Sequence, residues 1–209
     1  MDRRNFLAAG LGSLFLAACP RGSASAPRDA LAPTVAADDG DALPPMPASC
    51  AVIATAENIE GPFYKRGAPS RSVLVAPQDD GERLVIGGTV SSTHCERLSK
   101  AVIDVWQANA KGDYDLDGFR FRGRMTSDAK GRWQVSTIVP GRYLNGRRYR
   151  PAHVHVKVSA PGFETLTTQL YFEGDPYNEG DPFIDPSLIM ATTVEKKVRR
   201  AMFDFVLAA

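Results

Sequence analysis

The chain has 209 residues, enough for one domain with an appendage, and 25 Lys and Arg against 24 Asp and Glu give a net charge of +1. This balance excludes the strongly basic surface that nucleic-acid binding requires, and a hydrophobic content of 44% excludes wholesale disorder. The 15 Pro and 18 Gly favour a turn-rich β protein over a helical bundle. With three His and three Cys, any metal site has few of the usual ligands to draw on.

Residues 1–18 have the features of an export signal. Arg3 and Arg4 precede an uncharged apolar stretch that ends in small residues before Cys19. The Arg-Arg-x-Phe-Leu pattern is similar to a twin-arginine signal, whose route exports folded proteins, and Leu-Ala-Ala-Cys is similar to a lipobox. We therefore expect an exported lipoprotein, anchored in the bacterial cell envelope through lipid on Cys19. The alternative is an ordinary signal peptide followed by an incidental Cys.

Residues 19–49 are rich in Ala, Pro, Asp and Ser and cannot bury enough apolar surface to offset their ordering entropy. This composition predicts a flexible tether, with the folded domain over residues 50–209. Cys50 and Cys95 are left once Cys19 is acylated, and two cysteines in an oxidising compartment usually pair. We predict a Cys50–Cys95 disulfide, the alternative being two separate buried thiols.

The domain has the pattern of short strands separated by turns. β-branched and alternating runs predict strands at residues 83–90, 101–106, 154–158 and 165–172. A turn at residues 128–131, between two further strand-like runs, predicts a β-hairpin.

The remainder of the chain adds loops and little helix. A long loop at residues 173–186 holds two Gly-Asp-Pro triplets, residues 187–200 are predicted helical or mixed, and residues 202–207 form a closing strand. Together these elements predict an all-β fold, a two-sheet β-sandwich with long loops.

His153 and His155 are separated by one residue within a predicted strand. Side chains at i and i+2 point to the same face, so both imidazoles can ligate one metal ion. Histidines at inward positions of a core strand need polar partners, and a metal supplies them. By itself the pair is weak evidence for a metal site, because structural His pairs are common.

Several motifs around the pair occur together in a fixed order. They are Glu-Gly-Pro-Phe-Tyr at 60–64, the run at 105–114, Pro-Gly-Arg-Tyr at 140–143, Arg-Pro-Ala at 150–152 and the run at 168–176. With this set, the sequence resembles the intradiol ring-cleavage dioxygenases, most closely the protocatechuate 3,4-dioxygenase branch. The resemblance extends from residue 60 to the C-terminus.

The resemblance implies one non-haem Fe(III) per chain, with Tyr114, Tyr143, His153 and His155 as its protein ligands. Phenolate oxygens are hard anionic donors that suit ferric iron. The implied reaction uses O₂ to cleave a catechol-type, protocatechuate-like ring between its hydroxylated carbons, giving a cis,cis-muconate-type diacid. In the family the tyrosinate corresponding to Tyr143 is displaced by substrate and helps to take up its protons. The family fold is a prealbumin-like β-sandwich.

The resemblance also assigns residues around the metal. Arg150 corresponds to the arginine that stabilises charge on the attacked ring carbon, and Gln169 to a glutamine that hydrogen-bonds near it. Trp106 matches a tryptophan lining the substrate pocket, with plain core packing as the alternative. Tyr64 is a second pocket candidate, whose alternative is packing at the N-terminal side of the domain.

Two other readings remain open at this point. A cupin-type metalloenzyme also uses His-x-His, but needs a Glu soon after the pair and a later His. Here no His follows His155, and the first Glu after it is Glu164. A non-enzymatic β-sandwich lipoprotein that binds a ligand is the second alternative.

The chain shows no N-terminal helical dimerisation segment of the kind found in the catechol branch, so a homo-oligomer or a second subunit is left open. The expected membrane contact is the lipid anchor alone.

Overall fold

The computed structural model describes residues 53–209, so the predicted signal, the tether, Cys19 and Cys50 lie outside the described residues. Its strands are β1 Arg83–Ser92, β2 Val102–Gln107, β3 Arg122–Thr126, β4 Arg132–Ile138, β5 Leu144–Asn145, β6 Arg148–Tyr149, β7 His153–Ser159, β8 Leu166–Phe172, β9 Ile189–Met190, β10 Thr192–Glu195, β11 Val198–Met202 and β12 Phe205–Leu207. A single 3₁₀ turn, Pro186–Leu188, is the only helical element of the described part.

The strands form two sheets and a small hairpin. The first sheet has the order β10-β11-β1-β12, with β4 paired to the other edge of β1. The second sheet has the order β3-β2-β7-β8-β9 and is antiparallel except for the last pair. Strands β5 and β6 pair only with each other. The predicted two-sheet β-sandwich is confirmed.

Strand β7 separates the core from the other face of the second sheet. Val154, Val156 and Val158 belong to the apolar core cluster, to which both sheets contribute. The alternate positions place His153 and His155 on the opposite face, where both are only 2% exposed. The expected inward position of the histidines is therefore wrong: loops bury them on the outer side of the second sheet.

The predicted hairpin at residues 123–137 is a turn between sheets. The turn is tight, with Asp128 N donating to Arg132 O at 2.9 Å and Gly131 N donating to Asp128 O at 3.0 Å. However, β3 pairs with β2 and β4 pairs with β1, so the chain crosses from one sheet to the other here. Local turn chemistry was correctly predicted, whereas the ladder partners were not.

Residues 187–200 contain no α-helix, so the helical part of that prediction is also wrong. They form the end of the 3₁₀ turn, β9, β10 and the start of β11. Lys196 and Lys197 have φ values of 47° and 67°, which close the β10–β11 hairpin. The segment buries Leu188 and Met190, whereas Val194 on β10 is exposed.

Cys95 is disulfide-bonded, and residues 53–209 contain no other cysteine. Its pairing with Cys50 therefore stays a prediction. No helix among the described residues is long and apolar enough to cross a membrane.

Strand β1 changes its partner midway along one edge. Residues 83–87 pair with β11 and residues 90–92 with β12. Asp204, in the gap between these partners, accepts hydrogen bonds at Oδ1 from Thr89 N at 2.8 Å and from Thr89 Oγ1 at 3.0 Å. A carboxylate therefore replaces the missing ladder bond of a buried backbone amide.

Asp204→Ala should lower the free energy of unfolding by about 1–3 kcal/mol, because it leaves the buried Thr89 amide without its acceptor. Denaturant titration measures the change. Asp204→Asn keeps an acceptor oxygen in place and should retain most of the stability. Equal losses in the two variants would contradict the assigned role.

Candidate metal centre and active site

The register of the second sheet lines up several candidate residues on its outer face. His155 lies opposite Trp106 on β2 and opposite Gln169 on β8. His153 lies opposite Tyr171 on β8. Three residues from the two neighbouring strands therefore flank the histidine pair before any loop is considered.

Two loops place the tyrosines above this face. Tyr114 follows a turn in which Asn109 Oδ1 accepts from the amide nitrogens of residues 111 and 113. Gly112, with φ +92°, packs so closely that an added Cβ would lie 2.3 Å from Arg142 O. Gly141 N donates to Asn109 O at 2.8 Å. This backbone contact fixes the Tyr114 loop against the loop that carries Tyr143.

The side chains of both loops converge on the histidines. Tyr114 Oη lies 3.1 Å from His155 Nε2 and 3.4 Å from His153 Nε2. The Tyr143 ring is 5.7 Å from the His153 ring and 5.8 Å from the Tyr114 ring, measured between centroids. Phe63 stacks on Tyr114 at 4.2 Å. The structure therefore brings together all four residues predicted as ligands.

The imidazoles are held in the neutral form that binds metals. His153 Nδ1 donates to Pro151 O at 2.7 Å, which leaves the lone pair on Nε2, the atom facing Tyr114. Burial, with the positive charge of Arg150, lowers the pKa of His153 to about 4. Burial, with His153 and Arg150, lowers the pKa of His155 well below its ordinary value.

The donor set fits a hard, highly charged cation. No group of three or more His, Cys, Asp and Glu side chains among residues 53–209 could hold a metal ion, so a centre here requires the tyrosines. Burial raises the pKa of Tyr114, and Tyr143 raises it further. A cation at the convergence of the phenol and the two Nε2 atoms would instead favour the phenolate.

Two buried guanidinium groups flank the same position. Arg122 is 1% exposed, and its Nε and Nη1 have no hydrogen-bond partner in the described structure. Its charge lowers the pKa of Tyr114 against the effect of burial. Arg150 is 3% exposed. Cations of this kind suit a centre whose ligands and substrate are anionic.

Arg150 is fixed by a buried ion pair and a hydrogen-bond network. Its Nε donates to Asp181 Oδ2 at 2.8 Å, and the two side chains are 4% and 2% exposed. Its Nη2 donates to Gln169 Oε1 and to Tyr171 Oη, both at 3.1 Å. Burial alone would lower the pKa of Arg150, but the hydrogen bond to Asp181 and the charges of Tyr171 and Asp181 raise it above its ordinary value.

The two Gly-Asp-Pro triplets provide residues that sequence reasoning missed. Asp181 of the second triplet pairs with Arg150, and Asp175 of the first accepts from Arg142 Nε at 2.9 Å. Asp175 also accepts from Ala152 N at 3.1 Å. The repeated triplet was the available signal. Each buried aspartate fixes an arginine on the strand-and-loop segment that leads into the His pair.

A segment at residues 58–64, here called the strap, covers the centre. Asn58 Nδ2 donates to Phe183 O at 2.7 Å, and Ile59 O accepts from Gln169 Nε2 at 2.7 Å. A Cβ at Gly61 would lie 3.3 Å from His155 Cε1. The strap therefore contacts the second sheet at Gln169 and His155, and the following loop at Phe183.

Trp106 lies beside His155 on the outer face of the second sheet, and Tyr64 packs against Trp106. Trp106 is 1% exposed and stacks on His155 with 4.8 Å between ring centroids and an angle of 7°. Tyr64 packs against Trp106 with 4.8 Å between ring centroids, and its hydroxyl donates to Asp104 Oδ2 at 3.1 Å. Tyr64 thus contacts Trp106 and Asp104, as expected of a residue that packs at the N-terminal side of the domain. The substrate-pocket role predicted for Trp106 and Tyr64 stays a prediction.

The fold is a two-sheet β-sandwich that brings two tyrosines and two histidines together on the outer face of one sheet. The family model described as "Dioxygenase" matches residues 59–209. The chain belongs to the intradiol ring-cleavage dioxygenase family and is an enzyme of that type. The cupin and non-enzymatic alternatives are thereby excluded.

Individual relatives agree with this assignment. A chlorocatechol 1,2-dioxygenase of Pseudomonas putida is 36% identical over 176 residues, which cover 73% of this chain and 68% of that protein. A catechol 1,2-dioxygenase of Acinetobacter baylyi is 33% identical over 194 residues, covering 74% and 62%.

A solved structure, the dioxygenase domain of a dioxygenase–carbohydrate-binding protein fusion from Streptomyces sp. SirexAA-E, has a TM-score of 0.70 and 41% identity. It covers 75% of this chain and 99% of that one. The family prediction is confirmed. The relatives found are named for catechol and chlorocatechol, so the placement nearest the protocatechuate branch is not supported.

Asp181→Asn should lower the free energy of unfolding by about 3–5 kcal/mol, because it leaves the buried Arg150 without its counter-charge. Arg132→Ala is the control: it breaks the exposed Arg132–Asp128 pair and should cost at most about 1 kcal/mol. Chemical denaturation of both variants makes the comparison. Similar small losses would show that the Arg150–Asp181 pair is not needed for stability.

Proposed function

We propose that this enzyme cleaves a substituted catechol between its two hydroxylated carbons with O₂, giving a cis,cis-muconate-type diacid. One Fe(III) per chain, held by Tyr114, Tyr143, His153 and His155, is part of the proposal. The observation that supports it best is the convergence of Tyr114 Oη with both Nε2 atoms. Two phenols and two neutral imidazoles are a donor set suited to ferric iron.

The chemistry that ferric iron supplies when bound is Lewis-acid activation of the catechol ring toward O₂. The chain's own residues orient the substrate and handle charge and protons. Tyr143 is half-buried, and its ring lies 5.7 Å from the His153 ring. In this proposal its phenolate oxygen accepts a proton from a catechol hydroxyl. Arg150 supplies a fixed positive charge opposite negative charge that develops on the ring. Asp181, Gln169 and Tyr171 hold that guanidinium in one orientation.

The purified protein should contain about one iron per chain and absorb visible light through tyrosinate-to-iron charge transfer. Metal analysis and an absorption spectrum test both points. Tyr143→Phe should shift the band, and His155→Ala should lose the iron. Zinc in place of iron, or an iron-loaded protein without colour, would contradict the tyrosinate ligands.

A matched variant separates metal binding from turnover. Arg150→Ala should keep iron and colour but lose about 10²–10³ in kcat, because Arg150 stabilises charge and does not ligate the metal. Near-normal turnover would show that Arg150 has a structural role only.

The charged residues beside Arg150 bear on which substituents the catechol ring can carry. The relatives are named for catechol and chlorocatechol, whereas the motif resemblance pointed to a carboxylated ring. A cavity of about 470 Å³ lies beside Arg150, and the charged residues that line it are Arg147, Arg148, Arg150, Glu179 and Asp181. Asp181 is paired with Arg150, so the lining is left with two exposed arginines, Arg147 and Arg148, against one carboxylate, Glu179. We therefore propose that anionic ring substituents are accepted.

A substrate panel with an oxygen-uptake readout tests this point. Arg147→Gln and Arg148→Gln should each lower kcat/KM for protocatechuate about two- to five-fold, as expected for an exposed charge pair, and leave catechol unchanged. Equal effects on both substrates would remove the charge argument while leaving ring cleavage intact.

We also propose export and lipid anchoring through Cys19, from the sequence pattern alone. Lys-Lys in place of Arg3-Arg4 should leave the precursor in the cytoplasm, and Cys19→Ser should prevent acylation. Cell fractionation with mass analysis of the mature N-terminus measures both. Normal export and lipidation of the Lys-Lys variant would contradict the twin-arginine route.

A further inference from the structure

The two histidines of the centre are oriented in different ways. His153 donates from Nδ1 to Pro151 O, so a hydrogen bond fixes the rotation of its ring. His155 Nδ1 is buried and has no hydrogen-bond partner in the described structure. A metal-binding imidazole usually donates its second N–H to an acceptor, which holds the ring in position. For His155 some other contact must do this.

The contact available is the indole of Trp106, which stacks on His155 and is itself packed against Tyr64. Trp106 lies flat on His155, with 4.8 Å between centroids and 7° between planes. Tyr64 packs against Trp106 at a tilt of 56° with 4.8 Å between centroids, and Lys157 Nζ lies 4.2 Å from the Tyr64 ring centroid. The Tyr64 hydroxyl is held by Asp104. Rotation of the His155 ring would break its parallel contact with Trp106, and Trp106 is itself held by its packing against Tyr64.

The edge of the His155 ring that carries Cε1 is also confined. Gly61 of the strap lies so close that a Cβ there would be 3.3 Å from His155 Cε1. The indole of Trp106 therefore restricts one face of the imidazole, and Gly61 restricts its Cε1 edge. Nε2 of the same ring lies 3.1 Å from Tyr114 Oη. We propose that Trp106 is a positioning residue, which by stacking sets the ring orientation of His155 and so the affinity of the centre for iron.

This inference rests on the proposed function, because it assigns His155 as an iron ligand. It gives Trp106 a task beyond packing. A smaller apolar side chain without a flat face, such as leucine, would keep the position apolar but would let the imidazole rotate. An aromatic replacement would preserve the face on which His155 lies.

The chain offers a matched control in its second tryptophan. Trp133 is 1% exposed like Trp106, also has an unpartnered indole N–H, and packs in the sandwich core against Phe205 at 5.1 Å. Its loss should lower stability as much as the loss of Trp106, without contact to the centre. Any effect on iron that is specific to Trp106 then reports on positioning.

The experiment compares Trp106→Leu, Trp106→Phe and Trp133→Leu with the unaltered protein, each loaded with iron. Transfer of iron to ethylenediaminetetraacetate gives relative affinities, and the visible charge-transfer band reports the ligand geometry. Trp106→Leu should lower iron affinity about 10–100-fold, the usual effect of losing a supporting contact to a metal ligand, and should shift the band. Trp106→Phe should recover most of the affinity, and Trp133→Leu should bind iron normally once folded.

The outcomes separate this inference from the proposed function. Unchanged affinity and band in Trp106→Leu, or an equal loss in Trp133→Leu, would overturn the positioning role while the unaltered protein still binds iron. Absence of iron and of the band in the unaltered protein would overturn the proposed function itself.

Discussion

The alternation of side chains along β7 is the constraint on which the rest of the structure depends. Val154, Val156 and Val158 complete the sandwich core, while His153 and His155 occupy the other face of the same strand. The strand can hold the histidines firmly because its valines are packed between two sheets. Loops and the strap then bury the outer face, and burial keeps both imidazoles neutral.

Much of the fold could be predicted from the sequence because strand formation and tight turns are local. The β-branched runs were found within a few residues of β1, β2, β7 and β8. Ladder partners were not predictable in the same way, because pairing joins segments that are distant in the chain. The turn at residues 128–131 therefore looked like a hairpin, although its two strands belong to different sheets.

The candidate site shows the same division. His153 and His155 were found from their spacing, and the tyrosines from motifs that the resemblance supplied. Asp181 was missed because its contact with Arg150 joins residues 31 positions apart, and nothing in a Gly-Asp-Pro triplet names its partner. The buried guanidinium of Arg122, two of whose nitrogens lack a hydrogen-bond partner in the described structure, also escaped notice. Burial on the outer face of a sheet depends on loops whose path sequence patterns do not give.

The contact between Gly112 and the 141–142 backbone limits how Tyr143 can move. Because the two loops touch backbone to backbone just before Tyr143, the loop cannot open without displacing Tyr114 as well. Arg150 N donates to Tyr143 O and holds the other side of the residue at 2.9 Å. A departure of Tyr143 from this position is therefore a rotation about its own side-chain bonds, a rotamer exchange far faster than loop rearrangement. It leaves Tyr114, His153 and His155 in place.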